Sequence, residues 1–120
     1  DAPCSSIGTI RRNPDIFFKD KEINLDINIE LQKKLLQKAD KMLCAGGLLI
    51  YIVCSFLKKE TYFPIKNFLK KNQNYSIFKY QDEKKYSKLI DDNGFINILP
   101  QRFNNFLIDG FFSARLIKND

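Results

Sequence analysis

Cysteine supplies the most reactive side chains in this 120-residue chain, at positions 4, 44 and 54, and no histidine is present to activate any of them. A histidine-based triad or an ordinary Cys-His dyad is therefore excluded within the chain, because the base that would take the thiol proton is missing. An unperturbed thiol, with a pKa of about 8.5, is only a small fraction thiolate at neutral pH, so a cysteine that acts here needs another source of stabilisation. The odd count argues against a disulfide framework, and no CxxC or Cys/His spacing offers a metal site. Free thiols point to a reducing, cytoplasmic compartment.

The three positions differ in their surroundings. Cys54 directly follows Leu48 to Val53, a continuous apolar run rich in β-branched residues. Cys4 lies in Asp1-Ala2-Pro3-Cys4-Ser5, which reads as the exit of a strand lying before Asp1. Ligands of open α/β sheets sit beyond the carboxyl ends of the strands, where both of these cysteines fall. Position alone also allows Cys54 to be a small buried residue. Cys44, at the apolar end of a helical stretch, is expected to be a small core residue.

The elements that must position these groups follow from periodicity. From Asn28 to Leu43 the apolar residues Leu31, Leu35, Leu36, Ala39, Met42 and Leu43 recur at helical spacing, opposite a lysine-rich face. Asn28 is the expected N-cap, Glu30 and Lys34 an i,i+4 pair, and Gly46-Gly47 the stop. Apolar residues without alternation from Leu48 to Val53 predict a strand buried on both faces of a parallel sheet. A second helix is expected from about Glu60 to Lys71, with Pro64 disturbing its first turn. Short strands are expected at Tyr75 to Tyr80 and Gly94 to Leu99, then a turn at Asp109-Gly110 and a last strand from Phe111 to Lys118. Helix, glycine turn and buried strand make half of a βαβ unit, so the fold class is α/β. Residues 1 to 25 read as a turn-rich loop.

With 44% hydrophobic and 28% charged residues, the composition is that of one globular domain, not of a disordered or collagen-like chain. The longest apolar run is far short of the roughly 18 to 20 residues of a membrane span. The net charge of +6 is concentrated in residues 57–88, which hold nine lysines against three acids. Such a field would attract a phosphate backbone. The same excess also fits simple compositional bias, since Lys, Asn and Ile make up 42 of the 120 residues.

The order of these segments resembles a known family. Asp1-Ala2-Pro3-Cys4-Ser5, Gly8, Ile10-Arg11-Arg12 and Pro14-Asp15 are similar to the DAPCS..G.IRR.PD segment of the Sun/Fmu family of RNA (cytosine-5) methyltransferases. Leu31-Gln32 and Leu35-Leu36 resemble its LQ..LL helix, and Gly46-Gly47 through Tyr51 and Cys54-Ser55 its GG.L.Y.TCS strand, with Glu60 at the place of a following acid. Leu99-Pro100 and Asp109 to Leu116 resemble its closing LP and DGFF.ARL elements, and the bacterial ribosomal RNA branch is the nearest in pattern. Val53 stands where the family has Thr.

The resemblance implies the C-terminal half of a Rossmann-like methyltransferase sheet, mostly parallel with an antiparallel last strand and flanked by helices. Residues 1–120 would form the rear part of one catalytic domain whose donor-binding front half is absent. It implies transfer of a methyl group from S-adenosylmethionine to C5 of cytosine in RNA, 16S ribosomal RNA in the nearest branch, through a covalent cysteine-C6 adduct. Cys54 would be the nucleophile, and Cys4 would assist proton loss and enzyme release. Asp1 would lie between donor and base, and Pro3 would shape the turn. Arg11 and Arg12 would meet RNA phosphate, or else pair with Asp15 or Asp20. Phe111 or Phe112 could stack on an extruded base, with at least one of them filling the core instead. No Gly-rich nucleotide loop occurs in the chain, so it should bind S-adenosylmethionine poorly by itself. The partners implied are RNA, no membrane, and the missing half or a second copy over an exposed sheet edge. A different class of function also fits: a non-catalytic RNA-binding or interaction fragment.

Overall fold

A computed structural model describes residues 1–18, 25–79, 87–103 and 105–120. Two short 3-10 turns, Ile7–Thr9 and Pro14–Phe18, open the chain, followed by α1 (Leu25–Met42) and β1 (Leu48–Val53). Then come α2 (Tyr62–Lys71), β2 (Tyr75–Ile77), β3 (Ile96–Ile98), β4 (Gln101–Phe103), β5 (Phe106–Ile108) and β6 (Phe111–Lys118).

The last strand organises the sheet. One edge of β6 pairs with β1, from Leu48↔Ile117 to Val53↔Phe112. Its other edge pairs with β3 through Ile96↔Ser113 and with β2 through Ile77↔Leu116. Every pairing between described strands is antiparallel, including the β4-β5 ribbon. The α/β class holds and the last strand is antiparallel as expected, but no two described strands pair in parallel. Because β6 runs against both β1 and β2, those two strands share a direction without touching each other. The final strand occupies the place a parallel neighbour would take. The β4-β5 ribbon had no counterpart in the sequence reading, because neither of its three-residue strands is long enough to show a period.

Side chains that alternate along β6 build the core. Phe112, Ala114 and Leu116 are fully buried and meet Tyr51 and Val53 of β1, Ile65 and Phe68 of α2, Tyr75 and Phe95. Around Phe112 lie Tyr62, Phe95 and Tyr51 at ring-centroid distances of 5.2, 5.5 and 6.4 Å in tilted or edge-on geometry, as aromatic quadrupoles prefer.

Several local expectations change. The first helix begins at Leu25, so Asn28 lies inside it and is not its N-cap. Glu30 pairs with Lys33 one turn on, at 3.2 Å, the shorter of the two helical spacings. On its supposed core face Leu36 is buried, whereas Leu31, Leu35 and Met42 are exposed, and Gln32 takes an interior place. Strand β1 is buried on one face only: Tyr51 and Val53 point into the core, and Leu48 and Ile50 are exposed. Apolar residues on both faces of a strand call for a cover on both, and the described residues supply it on one. Cys44 is exposed in the turn between α1 and β1, where the helix has already ended at Met42. The strand beginning at Tyr75 ends at Ile77, and Tyr80 lies outside the described residues.

Candidate active site

Cys54 leaves the buried end of β1, and the Pro3-Cys4-Ser5 segment lies alongside it. The Ala2 amide donates to the Ile52 carbonyl at 2.9 Å and the Gly8 amide to the Cys54 carbonyl at 3.0 Å, so the first segment is stitched to β1 on both sides of the thiols. Cys4 and Cys54, 50 residues apart in the chain, have their sulfurs 3.3 Å apart. Both thiols are half-buried.

Three backbones converge at Gly8. Its carbonyl accepts from the Gly110 amide at 2.8 Å, and a Cβ at Gly8 would stand 2.1 Å from the Gly110 oxygen and 2.9 Å from the Cys54 oxygen. Only glycine allows this approach. It brings the start of β6 to the site, and extending the β1-β6 register by one residue sets Phe111 beside Cys54. Phe112 fills the core and Phe111 is 40% exposed, so the pair divides as the sequence suggests.

Ser6 takes the left-handed conformation with φ 58°, uncommon for a residue with a Cβ. Its hydroxyl lies 3.5 Å from the Cys54 sulfur. Burial pushes the Cys4 thiol up to about 11, the Ser6 backbone N–H acts against that rise, and Cys54 and Glu60 add to it. Cys4 is thus held protonated at neutral pH.

Beneath the thiols lies a buried polar layer. Glu60 is fully buried and accepts from the Ser5 amide at 2.7 Å, the Ser5 hydroxyl at 2.6 Å and the Ser55 hydroxyl at 2.6 Å. Gln32, equally buried on α1, donates to the Pro3 carbonyl at 2.8 Å. Glu60 and Gln32 stand out in the sequence only as motif matches on helical stretches, because a glutamate after two lysines and a glutamine beside two more look like solvated surface. The usable signal is the serine that directly follows each of the two cysteines, Ser5 and Ser55.

The other expected site residues lie further out. Asp1 and Pro3 are exposed at the rim. Arg12 pairs with Asp109 at 2.6 Å and Arg11 with the same carboxylate at 3.5 Å, in a partly exposed cluster that ties the first segment to the turn before β6. This cluster lowers the Asp109 pKa, chiefly through the Arg12 hydrogen bond. Asp109 is not among the carboxylates weighed from the sequence, and of those Asp20 lies outside the described residues. Among the described residues no group of His, Cys, Asp or Glu is arranged to hold a metal ion. No described helix is long and apolar enough to cross a membrane.

Beside Asp1 a cleft of about 220 Å³ is lined by aliphatic side chains such as Leu35, Ala39 and Ile50, together with Tyr51, whose hydroxyl is already donated to the Glu60 carbonyl.

The fold of this α/β unit has counterparts among solved structures. The crystal structure of PH0851 superimposes with a TM-score of 0.81 at 30% identity, over 98% of this chain and 25% of that one. A methyltransferase homolog from Pyrococcus horikoshii superimposes with a TM-score of 0.61 at 25% identity, over 98% of this chain and 37% of that one. NSun6 from Pyrococcus horikoshii, solved with SFG, shares the fold with a TM-score of 0.74 at 22% identity, over 100% of this chain and 29% of that one. These matches define the fold as part of a methyltransferase domain. More specifically, the chain belongs to the 16S rRNA methyltransferase RsmB/F family, whose pattern matches residues 1–117. Ribosomal RNA small subunit methyltransferase B of Shewanella oneidensis is 36% identical over 98% of this chain and 26% of its own length. The protein of the same name from Pectobacterium atrosepticum is 33% identical over 99% and 25%. The chain spans about a quarter of the length of the curated relatives it matches.

Proposed function

We propose that this chain is the catalytic-cysteine segment of an S-adenosylmethionine-dependent methyltransferase that modifies C5 of a cytosine in 16S ribosomal RNA. The observation that carries the reading is the pair of thiols 3.3 Å apart at the end of β1. C5 of cytosine is a poor nucleophile. Addition of the Cys54 thiolate to C6 moves the C5–C6 π electrons toward C5, which can then take a methyl group, and loss of the C5 proton with expulsion of the thiolate restores the ring. S-adenosylmethionine supplies the methyl group, and its binding belongs to parts of the complete enzyme beyond this segment.

The two thiols divide the work. Cys4, raised to about 11, is protonated at neutral pH, which suits proton handling and release rather than attack. In this reading Asp1 meets the cytosine edge, and Pro3 shapes the turn behind it. Exposed Phe111 offers a stacking face for a base turned out of its helix. Arg11 and Arg12 contribute phosphate contacts, and the lysines of residues 57–88 add affinity without sequence preference. Exposed Leu31, Leu35, Leu48 and Ile50 form the face against which the rest of the catalytic domain packs. An RNA substrate of this kind places the enzyme in the cytoplasm.

The test uses the full-length enzyme and its RNA. Cys54→Ala should lower methyl transfer by roughly a thousandfold or more, as loss of a covalent nucleophile does. Cys4→Ala should accumulate a covalent RNA-protein adduct, visible as a slower band on a denaturing gel. Full activity of Cys54→Ala would overturn the assignment, and an adduct from Cys54→Ala but not from Cys4→Ala would reverse the roles.

A further inference from the structure

We propose that Glu60 is a positioning residue that registers the two cysteine segments against each other. Its consequence for the reaction rests on the methyl-transfer reading above, whereas its consequence for the thiol pair does not. Each of the two cysteines is followed by a serine, and both serines donate to the same carboxylate. Ser5 donates twice, from its amide to Oε1 at 2.7 Å and from its hydroxyl to Oε2 at 2.6 Å, and the Ser55 hydroxyl reaches Oε2 at 2.6 Å. A displacement of either serine backbone carries its neighbouring thiol with it, so one side chain fixes the separation of Cys4 and Cys54.

The clamp is itself anchored. The Glu60 amide donates to the Leu57 carbonyl at 2.9 Å, and the Glu60 carbonyl accepts from the buried Tyr51 hydroxyl at 2.7 Å. Tyr51 lies on β1, so the carboxylate is referenced to the strand that carries Cys54. On the other side Gln32 holds the Pro3 carbonyl at 2.8 Å. Cys4 therefore lies between two buried tethers, one at the residue before it and one at the residue after.

Energetics point to registration rather than stability. Glu60 is 0% exposed although Lys58 and Lys59 just before it are in solvent, and its three side-chain bonds come from neutral donors. Burying a carboxylate is costly even when it is fully hydrogen-bonded, and an apolar side chain of like volume commonly serves stability as well or better. What an apolar side chain cannot do is join two loops at a fixed distance.

The experiment uses the full-length protein with Glu60→Ala, Glu60→Gln and Ser55→Ala. Diamide takes two electrons and two protons from a neighbouring thiol pair, and the rate at which the Cys4–Cys54 disulfide appears, read by mass spectrometry of the linked peptides, reports how well the pair is registered. Glu60→Ala should slow this rate by about tenfold or more, the scale on which small misplacements act. Alkylation of exposed Cys44 should not change. Glu60→Gln, which keeps the shape and one acceptor oxygen, should fall between Glu60→Ala and the parent. With Cys4→Ala also present, accumulation of the covalent RNA adduct should fall in the same order. A folded Glu60→Ala protein that pairs its thiols at the parent rate overturns the proposal. If Glu60→Ala does not fold, Ser55→Ala decides: slower pairing supports registration, and an unchanged rate overturns it. Should Cys4→Ala accumulate no RNA adduct, the methyl-transfer reading falls, while the pairing rates still decide the role of Glu60.

Discussion

At the residue scale, the three cysteines are chemically distinct for reasons that lie in their surroundings. Burial pushes the Cys4 thiol up to about 11, whereas Cys44 lies in solvent. At about pH 8 roughly one Cys4 in a thousand is then thiolate, against about a quarter for an unperturbed thiol. Iodoacetamide should accordingly label Cys44 well before Cys4, and Cys4 labelling should climb about tenfold per pH unit toward pH 11. Peptide mass spectrometry over a pH series checks this, and equal labelling of the two at neutral pH would contradict it. Ser6, strained by about 1 kcal/mol in the left-handed region, is tolerated at this place because its hydroxyl and its amide both face thiols. The sequence set Cys4 and Cys54 apart from Cys44 by position, but it assigned Cys44 to the core, and the burial that raises Cys4 is not legible in residue type.

At the element scale, the site depends on contacts between backbones. Replacing Gly8 by alanine would drive a Cβ to 2.1 Å from the Gly110 oxygen, with a second backbone oxygen at 2.9 Å and no flexible side chain to yield. Gly8→Ala should therefore cost at least about 2 kcal/mol and separate the start of β6 from the cysteine loops. Urea unfolding and methyl transfer, measured together on the full-length enzyme, test both parts. The far end of β6 has a different task. Lys118 donates to the carbonyls of Asp40 at 2.8 Å and Leu43 at 3.0 Å and pairs with the Asp40 carboxylate at 2.9 Å, capping the C-terminal end of α1 and lowering the Asp40 pKa. Lys118→Met should speed amide hydrogen exchange in the last turn of α1 while leaving its middle unchanged.

At the scale of the whole molecule, β6 is both the centre of the sheet and the wall of the core. Phe112 is fully buried among three aromatic rings, and Phe112→Ala should cost about 3 to 5 kcal/mol, read from the urea midpoint. Weak acids with raised pKa values give the fold an alkaline limit. Cys4 at about 11, with Tyr62 and Tyr75 at about 12, each raised chiefly by burial, keep their protons longer in the folded state than in the unfolded chain. Their contribution is complete below the unfolded values of about 9 to 10 and is lost as pH rises through the folded ones. Stability should fall between about pH 9 and 12, and Tyr75→Phe should flatten part of that fall in paired urea titrations.

Type and spacing alone determined the α/β class, the two helices, and β1 and β6 at their true places, and the resemblance of its ordered motifs added the family. Those features are local: a 3.6-residue period, an apolar run between glycines, an alternation of large and small residues, and an ordered set of short motifs. The tertiary structure decided where the antiparallel last strand lies, since placing β6 between β1 and β2 is a choice among distant segments that no period encodes. It also decided that Leu31, Leu35 and Ile50 face outward, because whether an apolar face is covered depends on what is packed against it. Above all it decided the site. Cys4 and Cys54 are 50 residues apart, and what makes them a pair is Gly8 with no side chain between two backbones and one buried carboxylate bonded to Ser5 and Ser55.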